Sequence, residues 1–205
     1  MSLSERIRNE TRTQHADAES MNFITRLMRG ELSLDDYAVY LSNLAFVYQA
    51  LETQTHQGEA FPTSESFWNP ALDRTAKIGS DLVQLGIPDW KSTNPTPATA
   101  EYVAYLNSLG GRSDVRLLAH HYTRYLGDLS GGQAIAKLVQ RNYNATEEQL
   151  SFYRFEDIED IVRYKEKYRE DLDNVRLSTE QENLLIAEAK KAFDFAQRMF
   201  ADLER

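Results

Sequence analysis

Apolar residues along this chain recur at spacings of three and four, the period of an amphipathic helix, and no stretch alternates in the manner of a half-buried strand. Ser2 followed by Glu5 has the form of a capping box and predicts a first helix. Along it Leu3, Ile7, Thr11, His15 and Glu19 recur every four residues and are expected on one face. A short helix with Phe23, Leu27 and Met28 should stop at Gly30. Ser33 with Asp36 opens the next, whose buried face is Tyr37, Leu41, Leu44, Tyr48 and Leu51 and which fades towards Gly58. Asn69-Pro70 reads as a cap followed by proline at the first helical position, with Gly86 as the stop. Residues 87–97 are the most loop-like stretch, yet the helical pattern resumes at once through Tyr102, Val103 and Leu106, so no domain boundary is placed there. After Gly110-Gly111 a long helical segment runs from about Ser113 to Tyr143, and Ser178 with Gln181 caps a final helix carrying Leu184, Leu185, Ala189, Phe193 and Phe200. The expectation is an all-α protein, a single domain over residues 1–205 built from about seven to nine helices.

Composition narrows the class. The 205 residues are 41% apolar, enough for one well-filled core. Lys and Arg number 23 against 32 Asp and Glu, a net charge of −9 that argues against nucleic acid as the main partner. Cysteine is absent, which excludes disulfides, zinc–thiolate sites, iron–sulfur clusters and covalent haem attachment through a Cys-x-x-Cys-His motif. No apolar run approaches the roughly 20 residues of a membrane span, and the polar N-terminus carries no signal peptide, so a cytoplasmic protein without a membrane anchor is expected.

Within the long helical segment, Gly127-Asp128-Leu129-Ser130-Gly131-Gly132 is out of character. Each glycine there costs about 1 kcal/mol relative to alanine, so local stability does not account for them. One reading is a kink or a close helix crossing. The other is a backbone that must lie flat against a large planar ligand, with Gly127 and Gly131 four apart on one face and Asp128 beside it. A carboxylate in such a place is costly unless bonded or functional. Of the four histidines, His56 reads as a solvated helix end, and His120 and His121 as helix histidines, with His120 sharing the face of Gly127 and Gly131. His15 has Glu19 at i+4, a spacing that serves equally for a surface pair and for the carboxylate that orients a metal-binding imidazole. Lys165 and Arg169, also i,i+4, are either a solvated face or a clamp for carboxylates. Glu-x-x-His pairs, His-Glu-x-x-His, Gly-x-Gly-x-x-Gly and Gly-x-Ser-x-Gly are all missing.

Tyr122-Thr123-Arg124-Tyr125-Leu126-Gly127-Asp128-Leu129-Ser130-Gly131-Gly132-Gln133 resembles the heme oxygenase family nearly letter for letter. The likeness extends to His15 with Glu19, to Tyr48-Gln49-Ala50-Leu51-Glu52, to the stretch from Phe152-Tyr153-Arg154-Phe155 to Arg169, and to Ala192-Phe193 with Phe200. It implies an all-α fold that sandwiches haem between a proximal helix and a glycine-kinked distal one. By the resemblance His15 is the iron ligand, Glu19 its acceptor and Phe193 part of the haem pocket. Gly127, Ser130, Gly131 and Gly132 cover the distal face, Asp128 organises distal water, and Tyr48 and Arg124 occupy the distal network. Propionates fall to Tyr122, Lys165, Arg169 and Arg8, the last standing where relatives more often have lysine. Ala196 stands where many relatives have asparagine.

The implied activity is oxidative cleavage of haem b, both cofactor and substrate, to biliverdin, carbon monoxide and ferrous iron, with O2 and electrons from an external reductase or ferredoxin-type donor. In style the chain resembles the bacterial iron-acquisition enzymes, although iron acquisition and pigment supply use the same catalyst, and a monomeric state is expected. The rival reading is a protein that binds, stores or senses haem without cleaving it, for which Asp128 has no use.

Overall fold

In the computed structural model, residues 1–61 and 65–204 are described, and helices are joined by short turns with no strand among them. In chain order the α-helices are α1 (Leu3–Glu10), α2 (Arg12–Ser20), α3 (Asn22–Arg29), α4 (Leu34–Thr55), α5 (Thr75–Gln84), α6 (Pro97–Asn107), α7 (Val115–Gly127), α8 (Gln133–Tyr143), α9 (Ile161–Asn174) and α10 (Thr179–Asp202). The predicted caps set three of the starts. Ser2, Ser33 and Ser178 each accept the N–H three residues on, and Glu5, Asp36 and Gln181 return the bond to the cap's own N–H. Gly30 ends α3 in the left-handed conformation, φ 75°, and a Cβ there would come within 3.0 Å of Asn142 Cβ on α8.

Three expectations are corrected. The first helix is two, α1 and α2, separated at Thr11, whose hydroxyl donates to the Ile7 carbonyl at 2.7 Å. A four-residue repeat advances by about 40° per step at 3.6 residues per turn. The stripe therefore winds off the core: Leu3, Ile7 and Thr11 are buried, and His15 and Glu19 are exposed. Asn69-Pro70 opens only a 3-10 turn, Pro70–Leu72; α5 begins at Thr75 because Glu52 of α4 accepts the N–H groups of both Arg74 and Thr75 and caps it from outside. The long segment is not uniform either, since α7 passes into α8 through a π-turn, Asp128–Gly132. These interruptions bring the count among the described residues to ten α-helices.

Helix α10 lies along α7 and also packs on α2 and α6, and α4 packs on α5 and α6. One helix thus supports both the His15 segment and the glycine segment. A polar framework holds the other side. Arg74 is buried and donates to the carbonyls of Leu72, Ala71, Phe152 and Arg154 at 2.8–3.2 Å, with its guanidinium 4.0 Å from the Phe155 ring centre. Asp81 accepts the N–H groups of Ser151 and Phe152 at 3.0 and 2.8 Å. Together they fix the turn that carries Tyr153, on which the π-turn rests.

Candidate functional site

The three glycines of the motif face different surroundings. A Cβ on Gly127 or Gly131 would meet nothing within 4 Å, and both residues are exposed. Gly127 has ordinary helical angles, φ −61° and ψ −51°, so neither conformation nor protein packing requires glycine there. Gly132 differs: it is buried, and a Cβ on it would lie 3.0 Å from Tyr153 Cδ1. Close packing accounts for Gly132 alone. The open strip over Gly127 and Gly131 is a surface from which side chains are missing, bordered by a π-turn, a distortion frequent at functional sites.

Asp128 turns inward beside that strip. Tyr48 of α4 donates its hydroxyl to Asp128 Oδ2. Arg124, one turn earlier on α7, stacks its guanidinium 5.3 Å from the Tyr48 ring centre. Burial raises the Asp128 carboxyl to about 6, although the charges of Arg124 and Arg74 and the Tyr48 hydrogen bond all favour the carboxylate. Arg124 stays charged: burial disfavours the cation, but Tyr48, Asp128, Tyr40 and Tyr102 outweigh it. Its Nε is buried without a protein partner, a donor left over inside the site.

On α2 the His15 imidazole is 55% exposed, and its Nδ1 lies 3.3 Å from Glu19 Oε2. That pairing leaves Nε2 as the nitrogen not engaged by Glu19. Phe193 of α10 meets the ring edge-on, centroids 5.6 Å apart, and Gln197 of α10 donates to the Gln14 carbonyl at 3.3 Å. The other histidines are committed elsewhere. His120 is fully buried between Tyr102 OH, 2.9 Å from Nδ1, and Glu188 Oε2, 3.2 Å from Nε2. His121 Nδ1 meets Tyr168 OH at 2.8 Å, and burial lowers its pKa to about 3. His56 pairs with Asp73 at 3.1 Å.

Cations gather at one border. Lys165 of α9 donates to Ser130 Oγ at 3.3 Å, and Arg169 lies one turn further on. The charges of Arg169 and Arg8 both act on the Tyr122 hydroxyl, bringing α9, α1 and α7 together. Asp173 of α9 ties down α1 by accepting the Ser4 N–H at 2.7 Å and the Ser4 hydroxyl at 3.0 Å.

These features fit haem. A planar macrocycle needs a surface without side chains, its iron a neutral imidazole, and its two carboxylates a cationic border. No group of three or more His, Asp or Glu able to hold a metal ion occurs among the described residues. Of the residues singled out from the sequence, the structure brings Tyr48, Arg124 and Asp128 together and Lys165 to Ser130, while His56, His120 and His121 are bonded elsewhere. Sequence reasoning named Glu52 only within the Tyr48–Glu52 stretch and Tyr102 only in a helical pattern, and gave no role to the buried Arg74.

Comparison with known proteins agrees. A profile of the heme oxygenase family matches residues 1–202. The heme oxygenase of Porphyra purpurea is 35% identical over 204 residues, covering 98% of this chain and 86% of its own. The structure of heme oxygenase-1 from the cyanobacterium Synechocystis in complex with heme superposes with a TM-score of 0.92 at 30% identity, covering 100% of this chain and 93% of that one. Heme oxygenase from Leptospira interrogans superposes with a TM-score of 0.91 at 33% identity, covering 98% and 99%. In sequence and in fold, this chain belongs to the heme oxygenase family of enzymes.

Proposed function

We propose that this protein binds haem b between α2 and the α7–π-turn–α8 segment and cleaves it to biliverdin, carbon monoxide and ferrous iron, with O2 and electrons from an external reductase or ferredoxin-type donor. One observation carries the reading: a carboxylate-oriented imidazole and an open glycine strip with a buried acid beside it sit on helices that share α10 as support.

Glu19 accepts the Nδ1–H of His15, which keeps that nitrogen protonated and leaves Nε2 as the atom that would hold the iron of a bound haem. Phe193 limits rotation of the ring. Lys165, Arg169, Arg8 and Tyr122 receive the propionates through charge-assisted and phenolic hydrogen bonds, and Arg8 brings a planar fork where a lysine would bring a point charge. Gly127, Ser130 and Gly131 let the macrocycle approach the backbone, while Gly132 holds the π-turn against Tyr153. Bound haem supplies the oxygen-activating iron and the ring that is consumed. Asp128, with its carboxyl raised to about 6, keeps roughly a tenth of its molecules protonated at neutral pH, enough to exchange a proton through water on the distal side in the range where general acids work. Tyr48 occupies Oδ2 and so leaves Oδ1 for that water, and the unpartnered Nε–H of Arg124 gives the water a second contact.

A protein that only stored haem would use the imidazole, the glycine strip and the cations but not the acid. The test is a haemin spectrum followed by single turnover with a reductant. Wild type should bind with an imidazole-type spectrum, lose the Soret band and form biliverdin. His15→Ala should lose both, with added imidazole restoring part of each. Asp128→Asn should keep the spectrum and slow biliverdin formation by about 10²–10⁴-fold. Wild-type binding without Soret loss would leave storage as the function.

A further inference from the structure

Asp173 sits in the last turn of α9, where the negative end of the helix dipole disfavours a carboxylate. It serves α1 instead. Its two oxygens accept the Ser4 N–H at 2.7 Å and the Ser4 hydroxyl at 3.0 Å, across 169 residues of chain. Ser4 lies in the first turn of α1, which already has a local cap: Ser2 Oγ accepts the Glu5 N–H, and Glu5 accepts the Ser2 N–H. Starting the helix therefore does not require Asp173. What the contact adds is register, because it grips the backbone of α1. Arg6, which attaches α1 to Glu182 and Asn183 of α10, does so through a long side chain that tolerates movement.

One turn further into α1 from Ser4 stands Arg8, and one turn back along α9 from Asp173 stands Arg169. The i,i+4 spacing puts each arginine on the face that carries the Ser4–Asp173 contact, and the two helices pack on each other. The next turn of α9 carries Lys165, tied to Ser130 of the π-turn at 3.3 Å. This face of α9 is thus anchored at both ends, with the two guanidinium groups between. Both arginines are exposed, and no ion pair among the described residues engages either. Two unpaired cations held in register suit a ligand with two carboxylates.

We propose that Asp173 is a positioning residue for the haem carboxylates: by fixing α1 against α9 it sets the spacing of Arg8 and Arg169, and so the in-plane seat of the ring that decides which meso carbon is cleaved. This rests on the proposed function for the identity of the ligand. Asp173 touches neither haem nor the reacting atoms. Its charge and its geometry act with opposite signs. Through charge alone it repels propionates, so its removal would tighten haem binding. Through register its removal loosens the seat.

The experiment measures haemin release from the ferric protein to excess apomyoglobin, and separates the biliverdin isomers formed in single turnover. Asp173→Ala should release haemin several-fold faster than wild type and turn a single isomer into a mixture. Asp173→Glu keeps the charge but lengthens the reach by one methylene; it should behave the same way, and it carries the test by itself if Asp173→Ala does not fold. Ser2→Ala removes the local cap and weakens α1 without touching its bond to α9. It should keep wild-type release and a single isomer. Unchanged release or an unchanged single isomer in the folded Asp173 variants overturns the proposal. So does slower release from Asp173→Ala, which is the charge effect alone, and so does an equal change in Ser2→Ala. Release needs no turnover, so a wild type that binds haemin without cleaving it overturns the reaction and leaves release to decide the seat. A wild type that binds no haemin overturns both.

Discussion

Asp128 is a carboxyl whose fold opposes its ordinary charge. It titrates at about 6 in the protein against about 3.9 in an unfolded chain. The native state thus holds this proton more tightly, and the stability it contributes is complete below about pH 3.9 and lost as pH rises through about 6. At pH 8 the charged form costs on the order of 3 kcal/mol. Asp128→Asn should therefore stabilise haem-free protein in urea unfolding by up to that amount at pH 8 and hardly at all at pH 4. Destabilisation at pH 8 would place the pairing with Arg124 above the cost of burial. The acid could be picked out of the sequence because a carboxylate among glycines is conspicuous. Its proton affinity could not, since Tyr48 and Arg74 come from segments 80 and 54 residues away along the chain. His15 and Glu19 were ambiguous for a related reason. An i,i+4 pair looks the same on a solvated helix and beside a ligand, and the contact of the imidazole with Phe193 from α10 could not be foreseen from spacing.

At the scale of elements the glycine motif carries two predictions of opposite sign. Gly127→Ala and Gly131→Ala meet no protein atom within 4 Å, so each should stabilise the haem-free protein by about 1 kcal/mol through helix propensity. The same methyl should weaken haem binding if the macrocycle lies on that strip. Thermal melts with and without haemin read both effects, and stabilisation with unchanged haem affinity would detach the strip from the ligand. Gly132→Ala presses on the buried Tyr153 ring and should destabilise by about 1–3 kcal/mol, as overpacking does. Sequence periodicity placed most helices and their caps because those depend on neighbours within four residues. It missed the break at Thr11, the late start of α5 and the π-turn. The α5 start depends on Glu52, which is remote in sequence from Arg74 and Thr75.

At the scale of the molecule, haem binding should report on the whole assembly, since the residues proposed for it come from α1, α2, α7, α9, α10 and the π-turn. Haemin at 100 times its dissociation constant should add about 2.7 kcal/mol, or roughly 5–10 °C in Tm for a chain of this size. Lys165→Ala together with Arg169→Ala should reduce that gain and turn a single biliverdin isomer into a mixture, because the in-plane seating of the ring depends on its carboxylates. An unchanged gain and a single isomer would return both cations to the solvated face of α9.

The sequence by itself determined the all-helical class, most helix boundaries, the lack of thiol-held metal or disulfide chemistry, and, through one twelve-residue motif with its companions, the family. Periodicity, caps and composition are local or additive, and a chain displays them without folding. Only the tertiary structure decided that His120 is a core residue bonded at both nitrogens, that Gly132 packs while Gly127 and Gly131 stay open, and that Arg124 lies over the ring of Tyr48. Those properties belong to pairs of residues brought together across helices. Burial and the charges that oppose it exist only once α4, α7 and α10 have packed.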